Sequence, residues 1–140
     1  MNKFTLQIIM GLVGIIPVAT GLLGMMGVND PVYVAAGVPP ILLLDTNLRF
    51  FSGVWVGLGL ALWWLIPTIE RQTVLFRVLW GMIFLGGIGR LLSMTILGWP
   101  PVAFVAFTAI EIVGAPLFIW WQSRVARFAS ETGTHIPSVK

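Results

Sequence analysis

The chain has 140 residues, of which 58% are hydrophobic and only 9% are charged, and its mean hydropathy is +0.98. Soluble domains carry about 25% charged residues, so this composition excludes a soluble monomer and predicts one all-α membrane domain. The basic residues form no aromatic-interleaved patch, so no nucleic-acid partner is expected. The chain has no cysteine, which excludes disulfides, thiolate metal ligands and a cysteine nucleophile.

Four apolar stretches are long enough to cross the hydrocarbon core, which needs about 20 residues in a helix. The first exceeds the apolar core of a cleaved signal peptide, about 7–15 residues, so we expect it to be retained. Pro17 and Pro116 are expected to kink the first and last spans. The predicted spans are residues 4–28, 47–66, 74–97 and 101–121.

The other segments are connectors or a tail. Residues 29–46 are apolar but are broken by Gly37 and Pro39-Pro40, which predicts an interfacial connector. Asp45 or Asn47 is expected to cap the helix that follows. The sequence thus predicts a four-transmembrane-helix bundle over residues 1–128, followed by a flexible tail over residues 129–140.

The distribution of basic residues predicts the orientation of the bundle. The connectors 29–46 and 98–100 contain none, whereas the segments on the opposite side contain several, which places both termini in the cytoplasm. Tryptophans expected at the cytoplasmic interface agree with this orientation. The basic residues on that side are Lys3, Arg71, Arg77, Arg124, Arg127 and Lys140, and the tryptophans are Trp63, Trp64, Trp80, Trp120 and Trp121.

A polar cluster is expected in the periplasmic half of the bundle. Its candidate members are Asp45, Asn47, Arg49, Arg90 and Glu111. Their formal charges cancel, and buried charges are costly unless paired, so we expect them to meet. Arg90 with Glu111 and Asp45 with Arg49 are the favoured pairs, and the opposite pairing stays open. The cluster could fix helix register, bind a lipid headgroup or another small anion, or use Glu111 as a proton site.

Glycines supply a second set of candidate residues. Gly53 and Gly57 form a small-xxx-small pair on the second span, and Gly86 lies near Arg90 on the third. Such glycines let helix backbones approach closely, so we expect these three to pack against other helices.

Residues for catalysis or cofactor binding are not recognisable in the sequence. The only histidine, His135, lies in the predicted tail, which argues against haem ligation, a metal centre or a serine–histidine hydrolase. No phosphate-binding loop or metalloprotease motif occurs. We therefore expect a protein that is not an enzyme and that holds no metal or cofactor.

Two motif blocks and one acidic residue carry a resemblance to a known family. They are residues 44–53 (LDTNLRFFSG), residues 84–93 (FLGGIGRLLS) and Glu111. With these the chain resembles a bacterial family of small four-span inner-membrane proteins that is described only as a domain of unknown function, and it is similar to the AciT-like envelope proteins of Acinetobacter. The resemblance implies an inner-membrane homo-oligomer, with a trimer favoured, that supports the outer-membrane permeability barrier. It implies no catalytic residues.

These observations lead to two functional hypotheses. In the first, the chain is a non-enzymatic membrane protein that supports envelope integrity and uses the polar cluster to bind membrane lipids or a partner. In the second, it is a small transporter or channel that uses Glu111 and Arg90 as a proton or ion site.

Overall fold

The computed structural model of this protein describes residues 2–133, which form helices and short connections with no strand among them. The helices are α1 (Lys3–Gly24), α2 (Pro31–Ala35), α3 (Leu42–Leu65), α4 (Thr73–Leu97), α5 (Val102–Ala109), a π-helical segment (Ile110–Gly114) and α6 (Ala115–Gly133), with 3-10 turns at Gly27–Asn29 and Ile66–Thr68.

Four helical stretches are long and apolar enough to cross a membrane. They are Lys3–Gly24, Leu42–Thr68, Thr73–Leu97 and Val102–Glu131. The prediction of an all-α, four-span membrane protein is therefore confirmed, whereas the cytoplasmic placement of the termini stays a prediction. Helix α6 continues to Gly133, so the first residues assigned to the tail are helical. Residues 134–140, including His135 and Lys140, lie outside the described residues.

The described chain divides into two compact units. One unit comprises Gln7–Ile66, and the other comprises the described residues before Gln7 and after Ile66. In the first unit, Gln7 Nε2 donates a hydrogen bond to the carbonyl oxygen of Ile66 at 2.8 Å, and Trp55 Nε1 donates to the Thr20 hydroxyl at 2.9 Å. Early residues of α1 thus meet late residues of α3, and the two helices run antiparallel.

Glycines on α1 allow this close packing. The Trp63 indole lies where a side chain at Gly14 would project, and its Nε1 donates to the carbonyl of Gly11 at 3.0 Å. A β-carbon at Gly21 would lie 2.9 Å from the carbonyl oxygen of Ser52 and 2.7 Å from Val56 Cγ2. The α1–α3 contact therefore requires small residues along this stripe.

The glycines singled out in the sequence are not the ones that make close contacts on α3 and α4. A β-carbon at Gly53, Gly57 or Gly86 would have no described atom within 4 Å, so these three meet no other helix within the described chain, and their packing stays a prediction. The close contacts fall instead on Gly59, against Pro17 and Val18, and on Gly87, against Glu111 and Ile112. Gly59 is two residues from Gly57, and Gly87 is one residue from Gly86. Because a helix has 3.6 residues per turn, a step of one residue changes the direction of a side chain by roughly 100°, so neighbouring glycines lie on different faces.

Two matched glycine substitutions test this packing. Gly21→Ala should lower the free energy of unfolding by about 1–3 kcal/mol, because the added methyl group overpacks the α1–α3 contact. Gly81→Ala should leave it unchanged or raise it by up to about 1 kcal/mol, because its methyl group meets no described atom and alanine favours the helix. Thermal unfolding of the purified proteins in one detergent gives the comparison. Equal losses for both variants would contradict the observed packing.

The start of α3 differs from the prediction. The helix begins at Leu42, five residues before the predicted span, and its N-cap residue Ile41 makes no side-chain hydrogen bond. Neither Asp45 nor Asn47 caps it, because both lie inside the helix. The capping aspartate of this region is Asp30, whose carboxylate accepts from Val32 N at 2.8 Å at the start of α2.

The second unit packs α4 against α5, the π-helical segment and α6. Its core contains Phe76 and Trp80, which are fully buried, and the Trp80 ring lies 4.6 Å from that of Phe118. Gln122 is also fully buried and donates from Nε2 to the carbonyl of Ile69 at 2.8 Å. Gln122 therefore ties α6 to the turn before α4, a role its polar character did not indicate.

Candidate functional site

The first candidate ion pair joins two neighbouring turns of α3. Arg49 Nε lies 2.7 Å from Asp45 Oδ2, and Arg49 Nη2 donates to Asp45 Oδ1 at 3.3 Å. The residues are four apart in a helix, a spacing that places their side chains on the same face. The predicted pairing of Asp45 with Arg49 is confirmed.

Arg49 also holds the turn that follows α1. Its Nη1 donates to the carbonyl of Met25 at 2.8 Å, and its Nη2 donates to that of Met26 at 3.0 Å. Both residues directly follow Gly24, the last residue of α1, and a cation near the C-terminus of a helix is favourable because the carbonyls there carry partial negative charge. All three nitrogens of the guanidinium donate hydrogen bonds within the chain. Asp45 and Arg49 therefore form a structural clamp between α3 and the turn after α1, and the arginine has no nitrogen left for an anion.

Gly27 completes the clamp. Its φ of +65° lies in the left-handed region that favours glycine, and Asp45 Oδ1 occupies the space where a β-carbon would project. The same oxygen accepts a hydrogen bond from Val28 N at 3.0 Å. The turn after α1 and the first turns of α3 are therefore locked together by Asp45 and Arg49.

The second candidate ion pair lies between α4 and the fourth span. Arg90 Nε is 3.1 Å from Glu111 Oε2, which confirms the other favoured pairing. The side chain of Glu111 is 7% exposed and that of Arg90 is 35% exposed. Gly87, one turn before Arg90, provides the room, because a β-carbon there would lie 2.8 Å from the β-carbon of Glu111.

The π-helical segment positions Glu111. Proline lacks an N–H group and its ring clashes with the carbonyl four residues earlier, which for Pro116 is that of Ile112. A segment bonded from i to i+5 over Ile110–Gly114 absorbs this interruption. Pro116, predicted as a kink, thus lies directly after the irregular turn, and Glu111 lies within that turn beside buried Thr108.

Arg90 is balanced by more than one group. Its guanidinium carbon lies 5.6 Å from the centre of the Phe104 ring, a cation–π geometry that is worth about 0.5–2 kcal/mol. Glu111 contacts the Nε edge of the guanidinium, and no hydrogen bond from Nη1 or Nη2 reaches a described residue. The outer edge of this arginine is therefore available to a further acceptor.

The remaining predicted residue, Asn47, is exposed, and its side chain makes no hydrogen bond to the described part of the chain. Each ion pair lies within a single unit, Asp45 with Arg49 in one and Arg90 with Glu111 in the other. The expectation that all five polar residues form one cluster stays a prediction.

Sequence reasoning missed a third ion pair, near the start of the chain. Lys3 Nζ lies 2.9 Å from Glu70 Oε2, whose side chain is 13% exposed, and Arg71 Nε lies 3.9 Å from Glu70 Oε1. Burial works to raise the pKa of the Glu70 carboxyl, but the bond and charge of Lys3 hold this pKa below its usual range. These residues are far apart in sequence, so no spacing rule could have paired Lys3 with Glu70.

No group of three or more histidine, aspartate or glutamate side chains lies close enough to hold a metal ion among residues 2–133. The chemistry on offer in the described region is that of paired charges and hydroxyl groups. Groups of this kind can anchor helices in an apolar environment.

Comparison with known protein families decides the classification. The profile of the family described as "Domain of unknown function (DUF4345)" matches residues 5–122. The chain belongs to this family. The DUF4345 match includes both ion pairs and both motif blocks, so the family resemblance drawn from the sequence is confirmed. No curated protein and no solved structure matches the chain. The similarity to AciT-like proteins and the envelope role that it implies therefore stay predictions.

Proposed function

We propose that this DUF4345 protein is a non-enzymatic integral protein of the bacterial inner membrane that supports the permeability barrier of the envelope as a small homo-oligomer. One observation carries the proposal. Arg90 lies on a helix that is long and apolar enough to cross a membrane, its Nε lies 3.1 Å from Glu111 Oε2, and its side chain is 35% exposed.

An exposed charge on a span requires a polar partner. Arginine at the centre of a membrane helix costs about 2.5–3.5 kcal/mol on insertion scales. Arg90 is seven residues from the end of α4 at Leu97, or about 10 Å, and its long stem can extend toward the headgroups. A lipid phosphate or an acceptor on a second copy of the chain would satisfy its free edge, and the planar fork of arginine suits either one.

The open glycines support assembly. A β-carbon at Gly53, Gly57 or Gly86 would meet no described atom within 4 Å, so these glycines offer surfaces on which the backbone of another copy can approach closely. The similarity to AciT-like proteins favours a trimer, an inner-membrane location and a role in the outer-membrane barrier. Together these points make Arg90 a contact to lipid or to a partner subunit, and not a catalytic group.

The experiment replaces Arg90 by lysine, which keeps the charge and the ion pair with Glu111 but loses the fork. In cells that lack the chromosomal copy, the wild-type chain should restore exclusion of a large hydrophobic dye, and Arg90→Lys should restore less than about a tenth of it. Arg124→Lys is the matched control, because the guanidinium carbon of Arg124 lies 5.1 Å from the centre of the Trp120 ring and no ion pair joins it to an acidic residue among the described residues. Cross-linking in membranes measures assembly in parallel.

Two outcomes would reject the proposal. In one, cells without the chain exclude the dye as well as cells with it. In the other, Arg90→Lys restores the barrier fully and the cross-linked wild-type chain remains a monomer. A variant that inserts at wild-type levels but fails to restore the barrier would support it.

The second candidate function is a small transporter or channel. It is favoured by the π-helical segment that carries buried Glu111, since such segments occur often at functional sites. The purified chain in liposomes should then conduct protons or cations, and Glu111→Gln should abolish the flux. A flux that is the same for both proteins would eliminate this candidate.

A further inference from the structure

A polar groove lies in the second unit, between the first turns of α4 and the middle of α6. Its volume is about 520 Å³. Two arginines and three hydroxyl-bearing residues make up most of its wall. The lining residues are Thr73, Arg77, Ser123, Ala126, Arg127 and Ser130.

Two arginines line the groove, and no carboxylate is among its described lining residues. No ion pair joins Arg77 or Arg127 to an acidic residue in the described part of the chain, and Glu131, one turn beyond Arg127, does not line the groove. Nearby Lys3 and Arg71, by contrast, both contact Glu70. Two like charges that share a groove repel each other, so an anion between them would be stabilised by both.

Hydrogen-bond donors in the groove are already oriented. Arg77 Nη2 donates to the Ser123 hydroxyl oxygen at 3.1 Å, and that hydroxyl donates to the carbonyl of Ile119 at 2.8 Å. This contact fixes one edge of the Arg77 fork and leaves the other edge for a ligand. A phosphate group, with several acceptor oxygens, matches a fork of this kind.

The position of the groove points to a lipid as the source of that phosphate. It lies where the third span begins, at Thr73, and near the end of the fourth, the depth at which headgroups occur. Val74 and Val78, next to the groove-lining Thr73 and Arg77 in sequence, are 77% and 53% exposed. An acyl chain can lie along such apolar side chains while its headgroup enters the groove.

We propose that this groove binds the phosphate group of an anionic phospholipid. Arg77 and Arg127 clamp the phosphate oxygens, and the hydroxyl groups line the remaining wall. The site is formed by residues other than those of the Arg90–Glu111 pair, so lipid binding in the groove can be tested independently of a role in the permeability barrier.

The test uses the full-length chain purified in detergent and a water-soluble, short-chain phosphatidylglycerol, with binding followed by thermal stabilisation and native mass spectrometry. Arg77→Gln and Arg127→Gln should each weaken binding about fivefold, and the double variant about 25-fold. Arg124→Gln is the matched control, because it removes one charge from the same helix outside the groove. Ala126→Leu fills the groove without changing charge and should also weaken binding at least fivefold.

Two further arms identify the source of the phosphate. Short-chain phosphatidylcholine should bind at least fivefold more weakly than phosphatidylglycerol. Inorganic phosphate alone should give little stabilisation; if it stabilises the wild-type chain but not the double variant, the groove is a site for free phosphate and the lipid assignment is overturned.

Equal weakening by Arg124→Gln, or unchanged binding by Ala126→Leu, would show general surface attraction and overturn the site itself. Ala126→Leu and the single variants decide the matter if the double variant does not fold.

Discussion

Arg90→Met should lower the free energy of unfolding by about 3 kcal/mol, because it leaves the Glu111 carboxylate buried without its partner. Glu111 is 5% exposed and lies inside a helical segment enclosed by α4, so its charge cannot reach water without rearrangement of the chain. The methionine side chain matches the arginine stem in length and removes only the charged fork. Unfolding in a graded series of detergent mixtures measures the loss.

The reciprocal variant should be less damaging. Glu111→Gln leaves the positive charge of Arg90, which is 35% exposed and can extend toward the headgroups, so a loss of about 1–2 kcal/mol is expected. The double variant carries no orphaned charge and should come within about 1 kcal/mol of the wild-type chain. The resulting coupling energy isolates the pair from its surroundings.

Arg124→Met serves as the control for the loss of an arginine. Its guanidinium carbon lies 5.1 Å from the centre of the Trp120 ring, and an exposed contact of this kind is worth about 0.5–1 kcal/mol. If Arg90→Met costs no more than Arg124→Met, or if the two single losses simply add in the double variant, the Arg90–Glu111 pair does not stabilise the fold.

Arg49→Met should lower the thermal stability of the chain and should loosen the turn after α1. The arginine makes four hydrogen bonds, two to Asp45 and two to the carbonyls of Met25 and Met26. The side chain is 47% exposed, so water competes for its partners. The expected loss of stability is therefore smaller than four buried hydrogen bonds to a charged group would give.

Amide exchange distinguishes a local effect from a global one. The Val28 amide donates to Asp45 Oδ1, so its exchange should accelerate in Asp45→Ala and in Arg49→Met, while amides in the middle of α3 change little. Thr46→Ala is the matched control on the same turn, because its hydroxyl donates only to the carbonyl of Leu42 in its own helix. Unchanged exchange at Val28 in Arg49→Met would rule out the clamp.

The spans were predictable because apolar length is a local property of the sequence. A stretch of about 20 residues without charges satisfies its backbone hydrogen bonds as a helix whatever surrounds it. The boundary at α3 was not predictable in the same way. Asp45 makes its hydrogen bond to Val28, 17 residues earlier, and not to the start of its own helix, so a capping rule based on neighbouring residues placed the helix start too late.

The glycine contacts show a second limit of sequence reasoning. Gly57 and Gly59, or Gly86 and Gly87, are equivalent as small residues, and only the rotation of each helix decides which one faces a neighbour. The structure packs Gly59 and Gly87 and leaves Gly57 and Gly86 open. The ion pairs were easier to predict, because a buried carboxylate and an arginine on apolar helices have few other partners.

The π-helical turn at Ile110–Gly114 contains one extra residue, and this residue sets the direction in which the later side chains of the fourth span point. If that turn tightened into a regular α-helical one, the rest of α6 would rotate by roughly 100° about its axis. Arg127 would leave the groove that it shares with Arg77, and the same rearrangement would move Glu111 relative to Arg90. The position of the ion pair at one end of the unit and that of the arginine groove at the other therefore both depend on this one irregular turn.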